Sequence, residues 1–292
     1  MYRFSPRYFS RPWGGNSFKN LFNRQHVPDG TMGESWELAD IDLHVSHGVD
    51  GNFLGDLWRS GVLGGSAQGR FPFLLKWIDA RAFLSVQVHP DEVAAQRIAG
   101  GAAAKSEAWY VAKADSHAEI LLGFKENISQ ETTYAAYGTR EIADFMQTIT
   151  PREGMLIAAP AGTVHAIGAG LLLLEVQQPS DSTYRIYAWD RPDVPLHVEN
   201  AKMATRWSQN TNTCVSCNEV MGPGFRMRKL GMDDCLHGSD LRVLVCVGSQ
   251  AAFRAGSEHI AMHLGDVWVM GRHDGDVTLA QGDVMWIAEN RT

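Results

Sequence analysis

The chain is short of cysteine, of basic charge and of long apolar runs, and each shortage excludes a class of protein. Its 4 cysteines, Cys214, Cys217, Cys235 and Cys246, are too few for a disulfide scaffold. Cys214 and Cys217 form a Cys-x-x-Cys pair, but no second pair accompanies it and the helix and parallel-sheet context of a redox motif is missing, so the cysteines read as structural or incidental. A total of 26 Lys and Arg against 33 Asp and Glu leaves a net charge of -7, which argues against nucleic acid or an anionic membrane as partner. A phosphorylated small molecule would need a local basic site. No apolar run approaches the roughly 18 residues of a spanning helix. Met1 to Gly15 also lacks the apolar stretch of a signal peptide, so the cytoplasm is the expected location. Oligomeric state, monomer or dimer, is left open.

What is present is the composition of a globular β-rich protein: 45% hydrophobic residues, 29 glycines and 11 prolines in 292 residues. Short apolar segments bounded by turn residues predict strands at Phe71 to Ile78, Phe83 to His89, Ala108 to Ala112, Ala118 to Gly123, Met155 to Ala158, Leu171 to Gln177 and Thr183 to Tyr187. That spacing predicts a sandwich or barrel. Helix signals interrupt it at Asp91 to Ala99, after Pro90 and before Gly100-Gly101. Over Thr139 to Ile149, Ile142, Phe145, Met146 and Ile149 fall on one helical face. A further short helix is expected from Asn200 to Trp207, and the polar stretch Ser208 to Thr213 reads as a linker. Beyond it, strands are expected at Phe225 to Leu230, Leu241 to Val247, His259 to His263, Val267 to Val269 and Val284 to Ile287, with Gly265-Asp266 and Gly282-Asp283 as turns. Two domains follow, 1–207 and 213–292, the first with helical insertions near 91–100 and 129–150 and the second a smaller β domain.

Three islands put polar residues where apolar strand residues belong: Gln87-Val88-His89-Pro90, Lys105-Ser106-Glu107 and Thr163-Val164-His165. The two-residue period of a strand sends Leu84, Val86 and Val88 to one face and Ser85, Gln87 and His89 to the other. The same period puts Lys105, Glu107 and Trp109 on a single face, and His165 follows a Pro160-Ala161-Gly162 turn as a strand begins. Taken singly, His165 reads as a hydrogen-bonded core histidine, Glu107 as a paired carboxylate and Gln87 as a satisfied amide, and His44, His47, His197 and His259 keep that reading. Together, two imidazoles, a carboxylate and an amide oxygen suit a divalent ion with one position open, Zn²⁺ or iron(II). Glu175, closing the run Leu171 to Leu174, is either a solvent-facing rim residue or functional. Asp181 and Arg185 form either a surface ion pair or, in Arg185, a fixed oxyanion site.

These residues together resemble the type I phosphomannose isomerases, zinc-dependent cupin enzymes. The resemblance begins at Trp13-Gly14-Gly15 and Gly33-Glu34-Ser35-Trp36-Glu37 and continues through Phe71 to Lys76, Leu84 to Pro90 and Lys105 to Tyr110. It ends with Gly162 to Gly170 and Glu175 to Arg191. It implies a mainly β, cupin-type double-stranded β-helix (jelly-roll) barrel with short helical insertions and a second, smaller β domain. It implies one Zn²⁺, or another divalent ion, on Gln87, His89, Glu107 and His165. Lys105, Glu175, Asp181 and Arg185 fall at catalytic positions, and Ser85, Lys105 and Arg185 at substrate-binding ones. The reaction implied is interconversion of mannose 6-phosphate and fructose 6-phosphate through a cis-enediol, its base being Lys105, Glu175 or a metal-bound water. Ala104, Pro179 and Ala188 depart from the family pattern without removing a proposed ligand. The alternatives are an iron(II) cupin oxygenase and a non-catalytic sugar-phosphate-binding cupin.

Overall fold

The computed structural model describes residues 1–41, 44–209, 214–216, 218–238 and 241–290; Cys217, most of the expected linker and the terminal Arg291-Thr292 lie outside the described residues. Strands dominate. In the N-terminal region they are β1 (Arg7–Phe9), β2 (Glu34–Leu38), β3 (Asp40–Ile41), β4 (His44–Val45), β5 (Leu74–Ala80), β6 (Val86–Val88), β7 (Glu107–Ala114), β8 (Ile120–Phe124), β9 (Met146–Ile149), β10 (Leu156–Ala159), β11 (His165–Ile167), β12 (Leu171–Gln177), β13 (Tyr184–Tyr187) and β14 (Cys214–Ser216). Short helices lie between them: α1 (Ser17–Asn20), α2 (Leu54–Arg59), α3 (Glu92–Arg97), α4 (Gln130–Ala135), α5 (Glu141–Asp144) and α6 (Val198–Ala204).

Apart from β3 and β4, which pair only with each other, these strands make two facing antiparallel sheets, in the order β1-β2-β5-β12-β7-β10-β14 and β13-β6-β11-β8-β9. Strand parity explains how they close on each other. Along β12, Leu171 and Leu173 point into a core shared with Ile78, Trp109, Val111, Ile120, Leu122 and Ile167 of both sheets. Leu172, Leu174 and Val176 point the other way. Behind the second sheet, Val86, Val88, Val164 and Ala166 pack with Ile142, Met146, Ala201 and Ala204. The barrel interior is thus apolar at one end. At the other, the same inward rows of β5, β12 and β7 end in Lys76, Glu175, Gln177 and Glu107, all buried.

The C-terminal strands β15 (Glu219–Gly222), β16 (Phe225–Lys229), β17 (Cys235–Leu236), β18 (Arg242–Ala255), β19 (Glu258–His263), β20 (Val267–Met270) and β21 (Val277–Ala288) form a third antiparallel sheet. Its Phe225, Met227, Val243, Val245, Met285 and Ile287 cover the outward row of the first sheet, Leu75, Trp77, Leu172 and Leu174, in one continuous core. Strand β14 pairs with β10, so the chain leaves the first sheet only after Ser216.

Two local expectations are corrected, and one of two open alternatives is decided. The helix expected over Thr139 to Ile149 is only the single turn α5; Met146 to Ile149 is instead a strand paired with β8. Ile142 and Met146 do bury together, but an open edge of β8 offers backbone partners that a helix would forfeit. Gly282-Asp283 is not a turn between strands. It lies inside β21, opposite Ala251, where φ of +83° and the nearness of the Gln250 carbonyl leave no room for a side chain, so the long β18–β21 ribbon bulges instead of ending. Asp181 and Arg185 make no ion pair among the described residues; both line the barrel cavity.

Candidate active site

The sequence islands meet at the polar end of the barrel. Antiparallel register puts His165 of β11 opposite Gln87 of β6, and Gln87 opposite Arg185 of β13. Facing them on the first sheet, Glu175 of β12 stands opposite both Lys76 of β5 and Trp109 of β7, and Gln177 opposite Glu107. His89 follows β6 and Lys105 precedes β7, so each island delivers its residues from a strand end, where backbone pairing stops and side chains converge.

One face of Glu107 meets both histidines. Its Oε1 lies 3.0 Å from His165 Nε2 and its Oε2 lies 3.4 Å from His89 Nε2. Each ring is held from behind: His89 Nδ1 lies 2.8 Å from the Ser182 carbonyl and His165 Nδ1 lies 3.0 Å from the Thr163 carbonyl. A carbonyl only accepts, so each Nδ1 carries the proton, and a neutral ring then aims the Nε2 lone pair at Glu107. Burial, with the nearby Lys105 charge, pulls His89 down to about 4, so this ring is neutral at physiological pH and its approach to Glu107 is no ion pair. Two lone pairs facing a buried carboxylate want a cation between them. The ligand atoms of His89, Glu107 and His165 lie within 4.8 Å of one another, and the orientation of imidazoles by carbonyls is the usual support for metal binding. Gln87 completes the set: its side-chain nitrogen lies 3.2 Å from His165 Nε2, and the alternative amide orientation would present its oxygen instead. The donor set fits a divalent ion.

From Glu107 a row of alternating charge crosses the first sheet. Lys105 Nζ lies 2.8 Å from Glu107 Oε2 and 4.0 Å from Glu175 Oε1; Lys76 Nζ lies 3.1 Å from Glu175 Oε1 and 3.9 Å from Glu34 Oε1; Glu34 Oε2 meets Arg11 at 3.0 Å. The Trp109 indole N–H donates to Glu175 Oε2 at 2.8 Å. Burial raises every carboxyl here, and the neighbours decide the outcome. For Glu107, Lys105 and the two histidines outweigh burial and hold it well below the ordinary range. For Glu34, Lys76 and Arg11 do the same, to about 2. Glu175 stays raised, because the Glu107 charge adds to burial and Lys76 and Lys105 only partly offset it. Burial would lower Lys76, yet Glu175 and Glu34 raise it overall, so it keeps its proton.

Above this floor opens a cavity of about 450 Å³, lined by Lys76, Ser85, Gln87, Lys105, Glu175, Asp181, Arg185 and Arg191 among others. The structure therefore brings together all nine residues singled out from the sequence: Ser85, Gln87, Lys105, Glu175, Asp181 and Arg185 on the wall, and His89, Glu107 and His165 beneath. Glu175 is 2% exposed, which settles its alternatives against a solvent-facing rim. Asp181 is exposed, at the mouth. Sequence reasoning gave no role to Lys76, Glu34 or Arg191. The signal for the first was a lysine inside the apolar strand Leu74 to Ile78. For Arg191 there was none: its Nε donates to the Ala188 carbonyl at 2.8 Å, while its buried Nη2 has no hydrogen-bond partner among the described residues.

Comparison with known proteins agrees with this geometry. Residues 1–126 match the family model for the type I phosphomannose isomerase catalytic domain. The match covers the first 126 of 292 residues, less than half of the chain. A mannose-6-phosphate isomerase of Streptococcus mutans is 36% identical over 200 residues, 65% of this chain and 62% of that protein. The mannose-6-phosphate isomerase ManA of Bacillus subtilis is 37% identical over 197 residues, 65% of this chain and 61% of the relative. The chain thus aligns with less than two thirds of these curated relatives. In three dimensions, the crystal structure of a mannose 6-phosphate isomerase from Bacillus subtilis superposes with a TM-score of 0.84 at 24% identity, covering 98% of both chains, so the fold is the cupin fold of the phosphomannose isomerases along its whole length, C-terminal sheet included.

Proposed function

We propose that this chain is a metal-dependent aldose–ketose isomerase that interconverts mannose 6-phosphate and fructose 6-phosphate through a cis-enediol. The observation that carries the reading is that a His-Glu-His cluster and the buried Lys76–Glu175–Lys105 row share one cavity whose far wall holds two arginines. The resident ion is Zn²⁺, one per chain, held by Gln87, His89, Glu107 and His165. When bound, it supplies Lewis-acid polarisation of the sugar's carbonyl and neighbouring hydroxyl oxygens.

The chain's own residues divide the remaining work. Glu175 is the base that carries the proton between C2 and C1: it lines the cavity, its Oε2 is fixed by Trp109, and its raised pKa brings it nearer to the range a base needs. Lys105 is less suited, since its ammonium is committed to Glu107 and His89, 2.8 and 3.2 Å away. It holds the charge of the Glu107 end instead. Lys76 keeps its proton and stabilises negative charge on the substrate oxygens. Ser85, Arg185 and Arg191 bind the phosphate; two adjacent guanidiniums, one with an unsatisfied buried nitrogen, suit a dianion. Asp181 at the mouth orients the incoming sugar. We further propose cytoplasmic action on free sugar phosphate, with a catalytic unit of 1–207 and a C-terminal unit of 213–292 covering its outer face.

The test is turnover by purified metal-loaded protein of mannose 6-phosphate and, side by side, free mannose, in D₂O. The expected result is ketose from the phosphorylated sugar with solvent deuterium at C1 or C2. Absence of ketose, or undiminished activity after chelation, would overturn the reading.

A further inference from the structure

Arg185 sits on β13, which is the edge strand of the second sheet: it pairs with β6 on one side, and among the described residues no further strand of that sheet lies on the other. An edge strand leaves alternate N–H and C=O groups without ladder partners. At Arg185 a single residue closes that edge from both sides. The Arg185 N–H donates to His197 Nδ1 at 3.2 Å, and the His197 N–H donates to the Arg185 carbonyl at 2.8 Å. His197 is itself anchored as the residue before α6, where its carbonyl accepts the Ala201 N–H at 2.8 Å and α6 buries Ala201 and Ala204. The bulge of β13 falls just beyond, between Arg185 and Tyr187, where the Ile186 carbonyl accepts the Gly138 N–H at 3.1 Å.

We infer that His197 is a positioning residue: its imidazole fixes the backbone of Arg185 and thereby aims the guanidinium into the cavity. The inference rests on the isomerase reading only for what Arg185 does there. The role needs Nδ1 unprotonated, and both burial and the Arg185 charge hold the imidazole below its ordinary value. It also explains why an unremarkable histidine, twelve residues from Arg185 and outside the cavity wall, folds back onto it.

The substitutions are His197→Ala, which removes the acceptor, and His197→Asn, whose Oδ1 accepts at a similar reach from the backbone. Two readouts are taken on the full metal-loaded chain. Hydrogen exchange of the Arg185 amide should accelerate about tenfold in H197A, the worth of roughly one hydrogen bond, and return toward wild type in H197N. KM for mannose 6-phosphate should rise by a similar factor in H197A with kcat within about twofold, and recover in H197N; a merely structural defect would not be rescued by asparagine or split KM from kcat. Unchanged Arg185 exchange in H197A, or loss of activity that H197N does not recover, overturns the inference. If wild type itself turns over no mannose 6-phosphate, the isomerase reading falls while the exchange measurement still decides the contact.

Discussion

Replacing Lys76 by methionine tests the charge row at its centre. The side chain keeps its length and loses its charge, and two fully buried carboxylates, Glu34 and Glu175, lose a partner at 3.9 and 3.1 Å. Breaking a buried pair from one side costs about 3–5 kcal/mol. Here the lower end applies, about 3 kcal/mol, because neither carboxylate is left alone: Glu34 keeps Arg11 at 3.0 Å and the Trp36 indole at 2.9 Å, and Glu175 keeps Trp109 at 2.8 Å. At about 2–4 °C per kcal/mol, thermal melting should fall by about 6–12 °C. The sign with pH follows from the same groups. Glu34, depressed to about 2 by Lys76 and Arg11, contributes stability above its ordinary value that is lost as pH falls. The wild-type advantage over K76M should therefore hold from pH 7 to about pH 5 and shrink as pH falls from there toward 2. Turnover should drop about 10²- to 10³-fold, and the acid limb of its pH profile should move upward, since Glu175 loses the nearer of its two ammonium neighbours. Adding Glu175→Gln should recover part of the stability and none of the activity. Scanning calorimetry and a kcat profile read both; an unchanged melting temperature with an unmoved acid limb refutes the row as a coupled unit.

Glu107→Ala should abolish both bound metal, by elemental analysis, and turnover, and retained metal in that variant would dismiss the proposed ligand set. Asp91 caps α3, accepting the Ala94 N–H at 2.8 Å, and grips Arg206 after α6. Asp91→Ala should cost about 1–3 kcal/mol from a lost cap and a partly exposed pair. Arg206 holds the Asp91 carboxyl below its ordinary value against the opposing effect of burial, so that difference should vanish as the pH drops past the aspartate range; melts at pH 7 and pH 3 check it. The buried Arg242 guanidinium donates to the carbonyls of Leu236, Gly271 and Gly275. Arg242→Met should destabilise by about 3 kcal/mol, detectable by denaturant titration, and a neutral result would mean that water replaces those contacts.

The parts of the fold that could be read from the sequence are those where one physical signal dominates. Leu171 to Gln177 was legible to the residue because an apolar run of strand length admits little else. Ser85, Gln87 and His89 were placed on one face because strand parity is rigid. Elsewhere signals competed. Ile142 and Met146 obey helical spacing and also bury one side of a strand-and-turn, so periodicity alone chose wrongly. Gly282 looked like a turn residue, whereas its positive φ serves a bulge that lets β18 and β21 run on. Arg191 was out of reach, because its significance lies in a missing partner, which only three dimensions reveal.

The charge row also explains why the metal ligands alone do not define the site. Glu34, Glu175 and Glu107 alternate with Lys76 and Lys105 along one inward face, three carboxylates against two ammonium groups. Arg11 balances the Glu34 end, so the row as a whole is neutral, and Glu107 divides its two oxygens between Lys105 and the two imidazole lone pairs. A divalent ion there would give the floor of the cavity a net positive charge, attractive to an anion in a cavity that Arg185 and Arg191 also line. Burying five charges is expensive unless each has opposite neighbours, and strand register supplies them, Glu34 from β2, Lys76 from β5, Glu175 from β12, and Lys105 and Glu107 from just before and at the start of β7. The same register that sends Leu75, Trp77, Leu172 and Leu174 outward under the C-terminal sheet sends Lys76 and Glu175 inward. The third sheet thus seals the apolar side of the strands whose polar side does the chemistry. A cut that removed it would expose that apolar row and loosen the spacing of the charges behind it.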